Sequence, residues 1–302
     1  GQFTGSNQIM DNGLLRFGTG AGTSQNSING SGNLEQPWFY DEGSNIWKRL
    51  TYSTYPTDSQ IAIGGDGTSE WNWDNSNSVN QAFNPTMLNR LFDSSNFTVS
   101  GAESYGTIIV KGDITVGSAQ FELTKSYTLG QNSNYIQIQT TLKNTGTANA
   151  TNVRYWEGTR DDRIGGDDFP DKERGNLIND SFELITSTDQ RSKAIRVSSG
   201  DDGILFFTRA PRGNTSVTGY SSSAFPAAQI DPDNVAITTS NSDSSYGIFV
   251  RMNDLAVGQS DSFSWYYAAG VIEDLDDVIE DITPPTVALS SSDSDNIINL
   301  TQ

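Results

Sequence analysis

The densest chemistry in this sequence lies between Arg160 and Asn176, in the run RDDRIGGDDFPDKERGN. Asp161, Asp162, Asp167, Asp168, Asp171 and Glu173 crowd into it, tied together by Gly165-Gly166 and Pro170. Carboxylates this close repel one another unless cations neutralise them. An oxygen-only donor set suits Ca²⁺, which takes about six to eight oxygens, including backbone carbonyls made accessible by glycine turns. The EF-hand spacing is absent, so this would be an irregular calcium loop. The alternative is a solvated acidic loop balanced by Arg160, Arg163, Lys172 and Arg174.

A second loop repeats the theme in miniature. Gly64-Gly65-Asp66-Gly67 precedes Glu70-Trp71-Asn72-Trp73-Asp74. Two tryptophans beside carboxylates in a glycine-rich stretch can wall a ligand pocket, because aromatic faces are good contact surfaces. They can equally face a core or cover a sheet edge. Asp201-Asp202-Gly203 and Asp231-Pro232-Asp233 read as turns.

The elements that must position these loops read as strands. In Tyr135–Leu142 the residues Ile136, Ile138, Thr140 and Leu142 share one face, and Tyr135, Gln137, Gln139 and Thr141 the other. Asn144-Thr145-Gly146 makes a turn, and Ala150–Thr159 returns through Val153, Tyr155 and Trp156 into the acidic loop. Further strands are expected at Leu14–Phe17, Ile46–Tyr52, Thr107–Val110, Gln120–Leu129, Ser181–Thr186, Ala194–Val197, Gly203–Thr208, Tyr246–Met252 and Ser262–Ala268. About a dozen strands without helical crossovers predict an all-β fold, a large antiparallel β-sandwich with long loops. One short C-terminal helix is expected over Ile272–Ile282, where Leu275, Val278, Ile279 and Ile282 recur at helical spacing. Thr283-Pro284-Pro285 stops it. Residues 1–282 are expected to form the ligand-binding domain, and 283–302 a linker or the start of an adjoining immunoglobulin-like module.

Composition narrows the chemistry. The 302 residues carry 37 Asp+Glu against 18 Lys+Arg, a net charge of −19, and contain neither histidine nor cysteine. Disulfides, Cys/His zinc sites and Ser-His-Asp or Cys-His triads are therefore impossible. A surface this acidic argues against nucleic acid as a partner. No apolar run approaches the roughly 20 residues a membrane helix requires. The hydrophobic fraction of 34% is low, but 10% aromatics and evenly spaced apolar runs argue for a folded chain. Gly1 in place of Met suggests an excised piece of a longer protein, within which the chain is expected to be a monomer.

The stretch NVRYWEGTRDDRIGGDDFPDKERGNL, with FELTKSYTLGQNSNYIQIQTTLKNTGTANA before it, resembles the calcium-dependent peptide-binding domains of large repeats-in-toxin (RTX) adhesins of Gram-negative bacteria. The similarity runs from about residue 1 to 282, and ITPPTVALSSSDS looks like the joint to an immunoglobulin-like repeat. The resemblance implies a sandwich holding several Ca²⁺ ions at the surface of a bacterial cell. It also implies a pocket for the C-terminal peptide of a surface protein on a host or neighbouring cell, whose free carboxylate meets a calcium. On that reading Asp161, Asp162, Asp167, Asp168, Asp171 and Asp66 are expected as metal ligands, with carbonyls around Gly165 and Gly166. Arg160 or Arg174 would clamp the peptide, and Trp71, Trp73 or Trp156 would supply apolar wall. A bound calcium would explain how a −19 protein attracts a carboxylate.

Three other functions fit the same residues. Calcium beside exposed tryptophan is also a way to hold sugar hydroxyls and sugar faces, as in a lectin-like carbohydrate-binding module. An enzyme would need Asp/Glu, Lys or Tyr as its acid and base. The acidic residues cluster as ligands do, so the sequence predicts no enzymatic activity. The third is a structural spacer in an extracellular fibre.

Overall fold

The computed structural model describes residues 8–18, 26–52, 55–64, 79–159, 161–178, 181–219, 236–275 and 278. Its first four strands are β1 (Met10–Asp11), β2 (Leu15–Phe17), β3 (Pro37–Asp41) and β4 (Ile46–Arg49). They are followed by β5 (Asp58–Gly64), β6 (Val79–Phe83), β7 (Leu88–Ser100), β8 (Glu103–Val116) and β9 (Ala119–Leu129). The middle of the chain supplies β10 (Tyr135–Asn144), β11 (Arg154–Thr159), β12 (Asp171–Ile178), β13 (Ser181–Leu184) and β14 (Ala194–Ser199). The last five are β15 (Asp202–Thr208), β16 (Gly213–Gly219), β17 (Thr238–Thr239), β18 (Ser244–Arg251) and β19 (Ser260–Val271).

Fourteen strands form one sheet, in the order β13-β12-β14-β15-β19-β10-β9-β8-β1-β2-β3-β4, with β17 beside β12 and β7 beside β8. Five form the other, in the order β16-β18-β11-β5-β6. Every pairing among the described strands is antiparallel. The expected all-β antiparallel sandwich is what the chain forms.

Period-two alternation makes the core. On β10, Ile136, Ile138, Thr140 and Leu142 are fully buried, as their spacing predicts. With Phe121, Leu123, Tyr127 and Leu129 of β9 they share one apolar cluster with Ile61, Tyr155, Ile248 and Val250 of the smaller sheet. Phe206 joins this core and Phe207, facing the other way, joins a second cluster with Leu205, Tyr266 and Ala268. Leu275 and Val278 complete that second cluster. The chain enters them through a 3₁₀ turn at Ile272–Asp274, and both residues are helical, at the expected spacing. No helix among the described residues is long and apolar enough to cross a membrane. Residues 283–302 lie outside the described set.

One expectation about local structure needs correction. The run 160–176 is not a single loop, because Asp171 onward is β12, paired with Ser198–Ala194 of β14. Its charges alternate like any strand's side chains: Lys172 and Arg174 are buried, while Asp171 is exposed.

Candidate functional site

β11 delivers Asp161 and Asp162 to one end of the smaller sheet. Its partner β18 runs antiparallel, with Thr159 opposite Tyr246, so the residues just before β18 lie beside those just after β11. That register brings in Asp243. Carboxylate oxygens of Asp161, Asp162 and Asp243 lie within 4.8 Å of one another. Asp161 and Asp162 are buried, and Asp243 is exposed.

Each buried acid is held from outside the cluster. The backbone N–H of Tyr52 donates to Asp161 Oδ2. Thr159 Oγ1 fixes the Asp161 backbone, donating to its carbonyl at 2.7 Å and accepting from its N–H at 3.1 Å. Asp162 Oδ2 receives the Lys172 ammonium at 2.5 Å and the Ser244 N–H at 2.8 Å. Lys172 is itself fully buried and also donates to the carbonyls of Pro170 at 2.7 Å and Ser242 at 2.9 Å. Asp162 Oδ1 is buried with no hydrogen-bond partner among the described residues. A buried acceptor left bare is unusual in a folded protein and calls for a partner.

The electrostatics point the same way. Burial pushes the Asp161 carboxyl up to about 7, with Asp162, Asp243 and Asp168 adding repulsion. Burial raises Asp162 to about 6 against the opposing pull of Lys172. Asp243 is raised too, by burial and by Asp168, again against Lys172. Among the described residues, Lys172 and Arg163 are the cations that the carboxyl shifts register against this negative charge. A divalent cation would add to them, and the donor set is oxygen-only, as hard Ca²⁺ prefers.

The other expected ligands are placed elsewhere. Asp167 is spent on the loop, accepting Ser199 Oγ at 2.6 Å and the Phe169 N–H at 2.9 Å. Asp168 pairs with Arg163 at 2.5 Å. Asp171 faces solvent from β12. Gly165 and Gly166 form the two-residue turn of a small hairpin closed by reciprocal Ile164–Asp167 backbone bonds. Gly165 has φ +62°, which explains the glycine without a metal. Its carbonyl accepts from Arg163 Nε at 3.1 Å. Arg174 is buried, donating to Asn214 Oδ1 at 3.0 Å and to the Gln190 carbonyl and Thr215 Oγ1 at 3.3 Å. Trp156 is buried against Phe249, packed over Gly247. Neither can grip a ligand, because neither reaches solvent. Arg160, Asp66, Trp71 and Trp73 lie outside the described residues. Asp243 and Lys172 complete the cluster without having been singled out as ligands. Nothing near Asp243 in the sequence marks it, since strand pairing alone brings it in.

The hairpin has a second neighbour. A hollow of about 800 Å³ is lined by Asp41, Ser44, Lys48, Ser199, Asp201 and Asp202, together with apolar Val271 and Ile272. Lys48 bridges Asp41 at 2.7 Å and Asp202 at 2.6 Å. It holds the Asp41 carboxyl well below the usual carboxylate range. The hairpin borders this hollow: Gly165 lies beside the Lys48 stem, and Asp167 holds Ser199.

No family model matches the sequence, and no curated protein matches it. Several solved structures are similar in fold. An α-mannosidase from Enterococcus faecalis V583 is 11% identical with a TM-score of 0.48, over 90% of this chain and 31% of that one. This chain thus spans about a third of the mannosidase. A galactose mutarotase-like protein from Lactobacillus casei ATCC 334 is 9% identical, TM-score 0.42, over 89% of this chain and 100% of that one. A galactose mutarotase related enzyme from Lactobacillus acidophilus is 11% identical, TM-score 0.39, over 88% and 97%. All three scores lie below 0.5, so the likeness is one of strand arrangement.

The expectation of a non-catalytic, peptide-binding adhesin module is corrected. The chains of similar fold are named for sugar chemistry rather than peptide capture. Two of the side chains assigned to the peptide, Arg174 and Trp156, are buried.

Proposed function

We propose that this chain is a calcium-dependent carbohydrate-binding protein, with the cation at Asp161, Asp162 and Asp243 and the sugar in the hollow beyond the hairpin. The observation that carries the reading is Asp162: its Oδ2 is spent on Lys172, while Oδ1 sits buried beside Asp161 and Asp243 with no hydrogen-bond partner among the described residues. Calcium there supplies the missing positive charge and holds the start of the hairpin, whose far end borders the hollow. The hollow offers what hydroxyl groups need: carboxylate and serine oxygens to accept, the remaining Lys48 proton to donate, and apolar Val271 and Ile272 for a sugar's C–H face. Asp41, Asp201, Asp202 and Glu273 outnumber Lys48 in its lining, so it favours neutral or amino sugars over uronates.

The test is calorimetry with neutral oligosaccharides, in Ca²⁺ and then in chelator. Lys48→Met abolishes sugar binding but leaves calcium-dependent stability intact, whereas Asp162→Asn weakens both. Sugar binding that survives Lys48→Met sinks the assignment of the hollow. Release of product from any oligosaccharide in the same cell moves the reading from binding to catalysis.

A further inference from the structure

The apolar register of β9 is broken once. Phe121, Leu123, Tyr127 and Leu129 face the core, and Lys125 stands among them, fully buried. Its ammonium donates to Glu157 Oε2 at 2.9 Å and to Asn33 Oδ1 at 2.6 Å. Glu157 of β11 and Asn33, from the segment between β2 and β3, are also fully buried. Lysine, carboxylic acid and carboxamide thus meet in one buried space between the sheets.

Each group around them has a chemical use. Asn33 Oδ1 accepts a second bond, from Ser59 Oγ at 3.0 Å, so two donors polarise the carboxamide carbonyl. Its Nδ2 is held by Asn84 Oδ1 at 2.9 Å. Tyr127 donates to the carbonyl of the adjacent Gly32 and pins the backbone there. Tyr155 donates to Glu157 Oε2 at 3.1 Å. The carbonyl carbon of Asn33 lies one C=O bond, about 1.23 Å, behind the oxygen that Lys125 touches. The hydrogen bond thus holds Nζ beside the carboxamide it would attack, and fixed placement of this kind replaces a bimolecular encounter.

We propose that Lys125 and Asn33 join spontaneously in an intramolecular isopeptide bond, with Glu157 as the proton carrier. Lys125 gives a proton to Glu157, and the neutral Nζ attacks Cγ of Asn33, forming the C–N bond. The carbonyl electron pair moves onto Oδ1, where Ser59 stabilises it. Glu157 protonates Nδ2, the Cγ–Nδ2 bond breaks and ammonia leaves. The remaining proton on the new amide nitrogen's precursor returns to Glu157, which ends neutral. An ammonium, a carboxylate and a carboxamide become an amide, a carboxylic acid and ammonia, so atoms and charge balance without a co-reactant. Burial favours the first transfer, since it lowers Lys125 and raises Glu157 toward their uncharged forms. The product removes a buried ion pair from the core.

The test is the mass of the denatured full-length chain. The bond predicts a chain lighter than its sequence by one ammonia, about 17 Da. A protease digest then yields a branched peptide joining Lys125 to Asn33, with no tryptic cleavage after Lys125. A wild-type chain at its full sequence mass overturns the proposal. So does a mass loss located elsewhere, as in a succinimide at Asn29-Gly30, which leaves Lys125 cleavable. Glu157→Gln keeps the side chain's volume and is expected at full mass; a cross-link formed without Glu157 removes its assigned role.

Discussion

Lys172→Met tests whether one lysine restrains the charge of the acidic cluster. Lys172 is fully buried and holds Asp162 Oδ2 at 2.5 Å. Without it, Asp162 must stay ionised and unpaired or take a proton. At about pH 7.5, protonating a group whose unfolded pKa is about 3.9 costs about 5 kcal/mol, which caps the penalty. The wild-type carboxyl, already raised to about 6, bears about 3 kcal/mol of this. The pH-dependent loss is the difference, about 2 kcal/mol. The carbonyls of Pro170 and Ser242 lose their donor too, adding about 1 kcal/mol each. A raised acid pKa means that stability falls as pH rises toward the folded value, and the variant falls further than wild type. At about pH 5 both proteins carry a protonated Asp162, and the pH-dependent part cancels. Urea unfolding in chelator, followed by tryptophan fluorescence, should thus show about 4 kcal/mol lost near neutrality and about half of it near pH 5. An equal loss at both pH values refutes the reasoning.

Other substitutions probe the remaining assignments. Gly165→Ala places a side chain at φ +62° and is expected to lower stability by about 1 kcal/mol, whereas Gly166→Ala, with no atom within 4 Å of its added carbon, is near neutral in thermal melts. Gly247→Ala drives a methyl into Trp156 and should cost about 1–3 kcal/mol, with a shift in tryptophan emission and unchanged sugar affinity. Glu157→Gln removes the cross-link between residues 92 apart in sequence, worth about 4–5 kcal/mol. Scanning calorimetry should show melting fall by roughly 10 °C, and a shift of only a degree or two would mean that no covalent tie existed.

The strands that alternate cleanly, β9 and β10, were legible because burial imposes a period of two on apolar residues. β12 was hidden by its charges. In Asp171-Lys172-Glu173-Arg174 the same alternation is written in ions, cations inward and anions outward, and a count of charge density reads it as loop. Asp161 and Asp162 were visible as a dense pair, but their companion was not. Asp243 arrives through the pairing of β11 with β18, which leaves no local trace near either residue. Lys125, Asn33 and Glu157 did not stand out in the sequence, because the contacts that give them meaning join segments far apart in the chain. The glycine pair suggested accessible carbonyls for a metal, yet a two-residue hairpin needs glycine for its backbone alone.

The most direct test of calcium-dependent sugar binding is an array of immobilised neutral, amino and acidic glycans, probed with the same protein in Ca²⁺ and in chelator. Retention on neutral or amino glycans that disappears with chelator is the predicted result. Equal retention in both conditions, or retention on acidic glycans alone, contradicts the account.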